Sequence, residues 1–428
     1  MLSKLLIMSE SMMPFTSNWG ACQRIYHYAK QIMREGVQVT VICHNTSDQT
    51  DGIVDVGGIT VIGHGGRKQA QTFSSYQESS AKFKAQFRNE LKKLDRNVKV
   101  VSQIARSVYR FAYSEPNVLS GRLAQKWANT VVPFAIKYIK DKEIDTVILS
   151  GPTFGLFYHA AEIKATGIKL ILDYRDPWVS WYEKPTLASR SEKRAIECAD
   201  LVVTTTQTLT DALNRKYCTE KCHTVMNGYD EDMWAKIPVS KHDPNKMIIA
   251  YVGNIKIKGQ QSFRNPTCFL KAIKEFKSTH PNIKVEFIGV QDRLDEIDAE
   301  LKECIEFQNN VSVEDSLEFM AKADVLVIFH TALDASGKYI ICGKAFDCLR
   351  SGNFILSIGD MAYANKAFVE ETESGIACDN KNSSILRALN EIYAHWEKKE
   401  LTGTAKNIKQ YSREHQNEKL LQLIQAIK

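Results

Sequence analysis

The sequence predicts an α/β protein of two Rossmann-like domains in tandem, facing each other across a cleft. Three observations carry this. The chain has 428 residues, more than one hydrophobic core normally serves at about 100–200 residues per domain. Short β-rich runs alternate with helix-sized segments, as in a parallel sheet covered on both faces. A polar stretch containing Pro238 and Pro244 breaks that rhythm near mid-chain, after which it restarts.

Leu5–Met8 reads as the first strand. A polar loop follows, then a helix over Ala21–Arg34 that Gly36 stops. Val37–Cys43 and Ile59–Ile62 are the next strands, and Thr146–Leu149, Ile168–Leu172, Leu201–Thr204 and His223–Met226 continue the series. Beyond the linker come strands at Met247–Val252, Ile283–Ile288, Val325–Phe329, Phe354–Ile358 and Ile376–Cys378. Helices are expected near Pro266–Ser278, Glu314–Lys322 and Gly343–Ser351, with two more to close the chain. The expected domains are 1–230, with a basic helical insertion at 67–140, a linker at 231–246, a second domain at 247–405, and closing helices at 406–428.

Composition narrows the class. Apolar residues make up 44% and charged residues 25%, the balance of a soluble globular protein rather than a disordered tail or collagen-like rod. No run approaches the ~18–20 uncharged residues that span a bilayer. The start, MLSKLLIMSESMMPF, lacks the apolar core and cleavage site of a signal peptide. The 10 cysteines are scattered and read as reduced thiols of a cytoplasmic protein. Charge is uneven: 67–140 holds fifteen Lys/Arg against four Asp/Glu, a net of +11 in a chain whose total is +6. That block suits a polyanionic partner.

In a doubly wound sheet, ligands meet loops at the carboxyl ends of strands. Four such loops stand out. The first, 9–24, opens a helix at Gly20, whose N–H groups suit an anion or a sugar hydroxyl; an ordinary strand–helix connection accounts for it equally well. The second, LILDYRDPWVSW over 170–181, sets Asp173, Arg175 and Asp176 beside two tryptophans. These groups suit hydroxyl positioning or charge stabilisation, and the competing account is an ion pair capping the turn before Pro177. The third, 250–266, follows Gly253 with Lys256, Lys258 and Arg264; backbone amides with a cation suit a diphosphate. The fourth, 330–352, carries Ser336-Gly337-Lys338, then Gly343-Lys344 at a helix start and Asp347 three residues on, on the same helix face. Lys344 suits phosphate oxygens and Asp347 a ribose hydroxyl.

Other signals fail. Cys218, Cys222 and His223 lack a second ligand pair for zinc. Asp230-Glu231-Asp232 opens the linker rather than a cleft loop. GxGxxG, GxSxG and GKS/GKT are absent from the sequence.

Together these stretches resemble a glycosyltransferase of the GT-B architecture, specifically the large retaining family 4, over nearly the whole chain. YAKQIMREGVQVTVIC is similar to the family's "L..L...GH.V.V" helix–strand, HTVMNGYDEDMW to its "viNGvD...F" signature, YVGNIKIKG to "yvG.l...KG", and GKAFDCLRSGNFILSIG to "EA.A.G.PVi". The sequence departs from the pattern as well: the second glutamate of the family's E-x7-E pair falls on Asp347, and the first on Tyr339. A subgroup with "RDPW" and "GKxFEYLxxG", acting in bacterial surface-polysaccharide assembly, looks closer.

The resemblance implies a C-terminal helix returning to the first domain. It also implies transfer of a sugar from a nucleoside-diphosphate sugar to a glycan hydroxyl, with retention and no cofactor or metal. The donor-binding residues would be Gly20, Gly253, Lys258, Arg264, Ser336, Gly337, Lys338, Lys344 and Asp347, with Arg175 and Asp176 as the catalytic candidates. Family acceptors are commonly lipid-linked, so the basic block is expected to meet an anionic membrane surface rather than nucleic acid, for which no recognised module accompanies it. Two rivals share the architecture: a sugar-nucleotide 2-epimerase and an inactive nucleotide-sugar binding module, the latter suggested by Tyr339.

Overall fold

The computed structural model describes residues 2–16, 19–47, 50–65, 116–152, 154–179, 187–238, 243–255, 264–289, 297–309, 311–330, 335–360, 362–403 and 407–427. The chain divides into two compact units, Met1–Thr224 with Asn417–Lys428, and Val225–Gln416.

In the first unit the described residues form one eight-stranded sheet, ordered β3-β4-β2-β1-β5-β6-β7-β8. Its strands are β1 (Lys4–Ser9), β2 (Gln38–His44), β3 (Gly52–Val56), β4 (Ile59–His64), β5 (Thr146–Gly151), β6 (Lys169–Tyr174), β7 (Leu201–Thr204) and β8 (Cys222–Thr224). All neighbours are parallel except β3, which lies antiparallel on the edge against β4. β1 is wholly apolar from Leu5 to Met8 and buried there, because helices cover both faces of a parallel sheet. Strand order reverses where β1 pairs with both β2 and β5.

The helix Trp19–Arg34 follows β1, and the helix Pro116–Lys142 precedes β5. All but the last two residues of the second lie inside the expected basic insertion. This helix packs Trp127, Ala128, Val131, Val132, Ala135 and Ile139 inward, and Lys126, Lys137, Lys140 and Lys142 are exposed on the remaining faces. The rest of that block, including Lys82, Lys84, Arg88, Lys92 and Lys93, lies outside the described residues.

The second unit holds a six-stranded, all-parallel sheet ordered β11-β10-β9-β12-β13-β14. The strands are β9 (Met247–Val252), β10 (Ile283–Ile288), β11 (Glu306–Gln308), β12 (Val325–His330), β13 (Phe354–Gly359) and β14 (Gly375–Cys378). Alternation splits its core in two. Met247, Ile249 and Tyr251 join Val325, Val327 and Phe329 on one face, while Ala250, Val252, Leu326 and Ile328 lie on the other. Order reverses at β9, which pairs with β10 and β12.

The linker region is not featureless. Asp230 caps a short helix, Glu231–Trp234, accepting from the Met233 N–H. The last helix, Arg413–Ala426, carries the chain back toward the first sheet, where Asn417 donates to the His27 carbonyl at 3.1 Å. The GT-B fold expected from sequence is therefore observed as two Rossmann-like sheets and a returning C-terminal helix.

Candidate functional site

At the reversal point of the second sheet, β9 ends on Val252 and Gly253. The helix Lys344–Ser351 begins after β12 and buries Ala345, Phe346, Cys348 and Leu349. That leaves Lys344 and Asp347 together at the border of the packed face. Gly352, at φ +76°, ends the helix in a left-handed turn.

Lys344 reaches back to the end of β9, where its Nζ donates to the Val252 carbonyl at 2.6 Å. The same ammonium lies 6.0 Å from the Tyr251 ring centroid. Gly253 makes this approach possible. Its φ is +135°, and a Cβ placed there would sit 1.7 Å from Lys344 Nζ. Burial, reinforced by the Arg264 charge, lowers the Lys344 pKa to about 8. A cation held in this way gains most when an anion arrives to neutralise it.

Asp347 is half-buried, and its Oδ1 accepts from the Trp234 indole N–H at 3.2 Å. Burial raises its pKa, while the Arg413 charge, the indole bond and Lys344 oppose that rise. Arg350, one turn further along, grips Glu231 through Nε at 2.7 Å and Nη2 at 2.6 Å. The acidic run Asp230-Glu231-Asp232 thus caps a helix and anchors it.

The remaining donor candidates are placed as follows. Arg264 is exposed, close enough to Lys344 to depress its pKa. Ser336, Gly337 and Lys338 form a 3-10 turn over Ala335–Lys338. Gly337 is packed under Tyr363, whose ring a Cβ would meet at 2.3 Å. Lys338 is exposed, and Lys258 lies outside the described residues. Tyr363 stacks edge-on against His330 at the end of β12, and both line a small cavity with Ser357, Asp360 and Asn365. Asn365 fixes the approach to the 344 helix, its Oδ1 accepting from the Cys342 N–H at 3.0 Å.

The catalytic candidates lie in the first unit, at the ends of β5 and β6. Arg175 spends its guanidinium on backbone: Nε donates to the Gly151 carbonyl at 3.0 Å, Nη1 to Ala21 at 2.6 Å and Nη2 to Pro152 at 2.7 Å. Burial lowers its pKa, against the pull of Asp173 and Asp176. Asp176 neighbours that charge, and burial raises its own pKa. Asp173 is 0% exposed. Its Oδ1 takes Arg24 Nε and Nη2, each at 3.0 Å, and its Oδ2 takes the Ser150 hydroxyl at 2.7 Å. Gly20 sits exposed in the first turn of the helix Trp19–Arg34, whose N–H groups near Gly20 suit the anion or hydroxyl expected from sequence.

Three groups escaped sequence reasoning. Trp234 was legible only as the end of a linker signature, and Tyr363 carried no motif at all. Arg24, which pairs with Asp173, gave no signal because its partner lies 149 positions away.

Comparison with known proteins agrees with this fold. Residues 20–228 match the family described as glycosyl transferase 4-like domain. No curated protein sequence matches the chain. Among solved structures, a sucrose-phosphate synthase from Thermosynechococcus elongatus is similar at 12% identity and TM-score 0.64, over 99% of this chain and 98% of that one. A trehalose-6-phosphate structure from E. coli bound with UDP-2-fluoro glucose is similar at 12% identity and TM-score 0.63, with 100% of both chains covered. A putative UDP-N-acetylglucosamine 2-epimerase from Listeria monocytogenes is similar at 10% identity and TM-score 0.59, over 100% and 96%. The chain therefore has the GT-B fold in two units, and its residues 20–228 are similar to the glycosyl transferase 4-like domain. Among the described residues, no helix is long and apolar enough to cross a membrane.

Proposed function

We propose that the protein is a retaining glycosyltransferase that moves a sugar from a nucleoside-diphosphate sugar to a hydroxyl of a glycan acceptor in bacterial polysaccharide synthesis. The observation that carries this reading is the Lys344 ammonium, held on the Val252 carbonyl beside a glycine that admits no side chain. It lies at the topological reversal of the second sheet, where such folds take their ligands. In this reading the diphosphate lies against Gly253, Lys344 and Arg264, with Lys258 and the 336–338 turn closing on it. Asp347 accepts from the ribose. The anomeric carbon exchanges its diphosphate oxygen for the acceptor oxygen, and the acceptor's proton leaves with the nucleoside diphosphate. Cations stabilise the departing charge, with no metal or other cofactor. The first unit handles the acceptor. Asp176 is its catalytic candidate, and Arg175 shapes the loop from which Asp176 projects.

The acceptor in this reading is lipid-linked and the enzyme cytoplasmic, docking peripherally on the inner face of the cell membrane through residues 67–140. Each cation near an anionic leaflet contributes about 1 kcal/mol.

Thermal-shift measurements with the diphosphates of uridine, guanosine and adenosine, and with their sugar conjugates, test the donor half. A bound nucleotide raises the melting temperature by mass action, and no shift with any of them contradicts the reading. The 2-epimerase alternative, which shares the architecture, needs no acceptor. Release of free nucleotide that depends on added glycan separates the two.

A further inference from the structure

We propose that Trp234 is a positioning residue of the nucleotide site: its indole N–H holds the Asp347 carboxylate where it receives the ribose hydroxyls, and so sets the preference for ribo- over 2′-deoxyribonucleotides. This rests on the reading of Asp347 as the ribose acceptor given above.

The geometry is specific. Trp234 is 5% exposed, and its Nε1 meets Asp347 Oδ1 at 3.2 Å across 113 positions of sequence. An indole N–H donates only, and an ionised carboxylate accepts only. The bond therefore occupies Oδ1 and leaves Oδ2 for a ligand. The short helix that carries Trp234 is fixed twice over. Asp230 caps its start, and Glu231 makes a two-pronged pair with Arg350, on the same helix as Asp347. The Arg350 guanidinium also lies 5.8 Å from the Trp234 ring centroid. One helix is thus pinned to the other by an outer ion pair and an inner hydrogen bond, and only the inner one touches the ligand-facing carboxylate. A carboxylate whose direction is fixed in advance discriminates against a substrate lacking the matching hydroxyl, because its own lone pair is then left unpaired.

The indole also favours the charged form of Asp347, against the burial that raises its pKa. Arg413 and Lys344 act in the same sense as the indole, and Asp230 in the opposite one. Removing the N–H raises the pKa further, so the loss of nucleotide binding on the acid side moves to higher pH.

The test is calorimetric titration of the full chain with the diphosphates of uridine, guanosine and adenosine and their 2′-deoxy forms, from pH 5 to pH 8. The variants are Trp234→Phe, Asp347→Asn, both together, and Arg350→Met. For the nucleotide that binds, the wild type should prefer the ribo form by about tenfold or more. Trp234→Phe should cut that preference to about threefold or less and move the acid limb upward, leaving affinity for the deoxy form intact. Adding Trp234→Phe to Asp347→Asn should change nothing further. Arg350→Met, which removes the outer ion pair and the cation beside the Trp234 ring but leaves the indole N–H bond to Asp347, should keep the preference. Trp234→benzothienylalanine removes the N–H at constant shape and should repeat the Phe result even if Trp234→Phe folds poorly. An unchanged ribo preference and acid limb would overturn the proposal, as would an equal loss for ribo and deoxy forms or an additive double variant. If no diphosphate binds the wild type, the donor reading itself fails, and this inference falls with it. If one binds but the wild type already ignores the 2′-hydroxyl, this inference alone fails.

Discussion

The two sheets reverse direction at equivalent points, β1 beside β5 in one and β9 beside β12 in the other, yet the polar groups there are used in different ways. In the first unit they are spent on each other. Asp173 takes Arg24 and Ser150, and Arg175 takes three carbonyls from Ala21, Gly151 and Pro152. In the second, Lys344 donates to the Val252 carbonyl, and Gly253 admits its ammonium against the backbone where no side chain would fit. The comparison separates two kinds of charge at a strand end. A network of paired groups fixes loop geometry, whereas a buried cation with its pKa lowered to about 8 suits the diphosphate site proposed above.

The largest expected effect lies in the paired network. Arg24→Met breaks a buried ion pair and leaves Asp173 with only the Ser150 hydroxyl and the more distant Arg175 charge, which costs about 3–5 kcal/mol. Denaturant unfolding should show that loss, and nucleotide affinity measured below the transition should be unchanged. A fall in affinity with stability intact would place Arg24 in a binding site instead.

Next comes Asp176, the group of that region whose charge is least satisfied. Asp176→Asn should lower turnover far more than nucleotide affinity, since in this account it acts on the acceptor side. An early-melting variant that binds nothing would make it a further part of the structural network.

The fold was largely legible in the sequence because parallel strands buried on both faces write themselves as continuous apolar runs. Met247–Val252 and Val325–Phe329 are such runs, and both appear within a residue of where they were expected. β3, Gly52–Val56, was missed. It is exposed along most of its length as an edge strand, with Ile53 70% exposed, so no burial pattern marks it. β11 was missed because three residues are too few to show a period. Asp230-Glu231-Asp232 read as a linker break and instead starts a helix.

In the site, Lys344 and Asp347 stood out because a helix start after a strand is a local feature. What Arg175 does could not be read, since backbone carbonyls contributed by distant residues leave no mark in a side-chain pattern. Trp234 was hidden for the same reason: its partner is defined by tertiary packing.

A smaller effect follows from the Lys344 pKa. In the proposed reading the charged form binds phosphate, and burial lowers its pKa in the free protein to about 8. Affinity should hold below that pH and decline above it by about tenfold per unit, until the higher pKa of the complex is reached. Below the free pKa binding takes up no proton at this group; between the free and complex pKa values it takes one up. Calorimetry in buffers of different ionisation enthalpy reads this directly, and a flat profile from pH 7 to pH 9 would contradict it.

The smallest expected effect belongs to the basic block. Charge reversal at Lys82, Lys84, Arg88, Lys92 and Lys93 should weaken salt-sensitive flotation with anionic liposomes and leave nucleotide affinity alone. Equal recovery on neutral and anionic vesicles would dismiss the membrane partner.

The account stands most directly on Lys344→Ala. This change removes one charge-assisted contact, worth about 1.5–3 kcal/mol, or roughly 10- to 150-fold in nucleoside-diphosphate affinity. Calorimetric titration should show that loss with the melting temperature of the free protein maintained or raised, since a buried cation has gone. Undiminished affinity in Lys344→Ala would move the nucleotide away from the second sheet's reversal point and contradict the central claim.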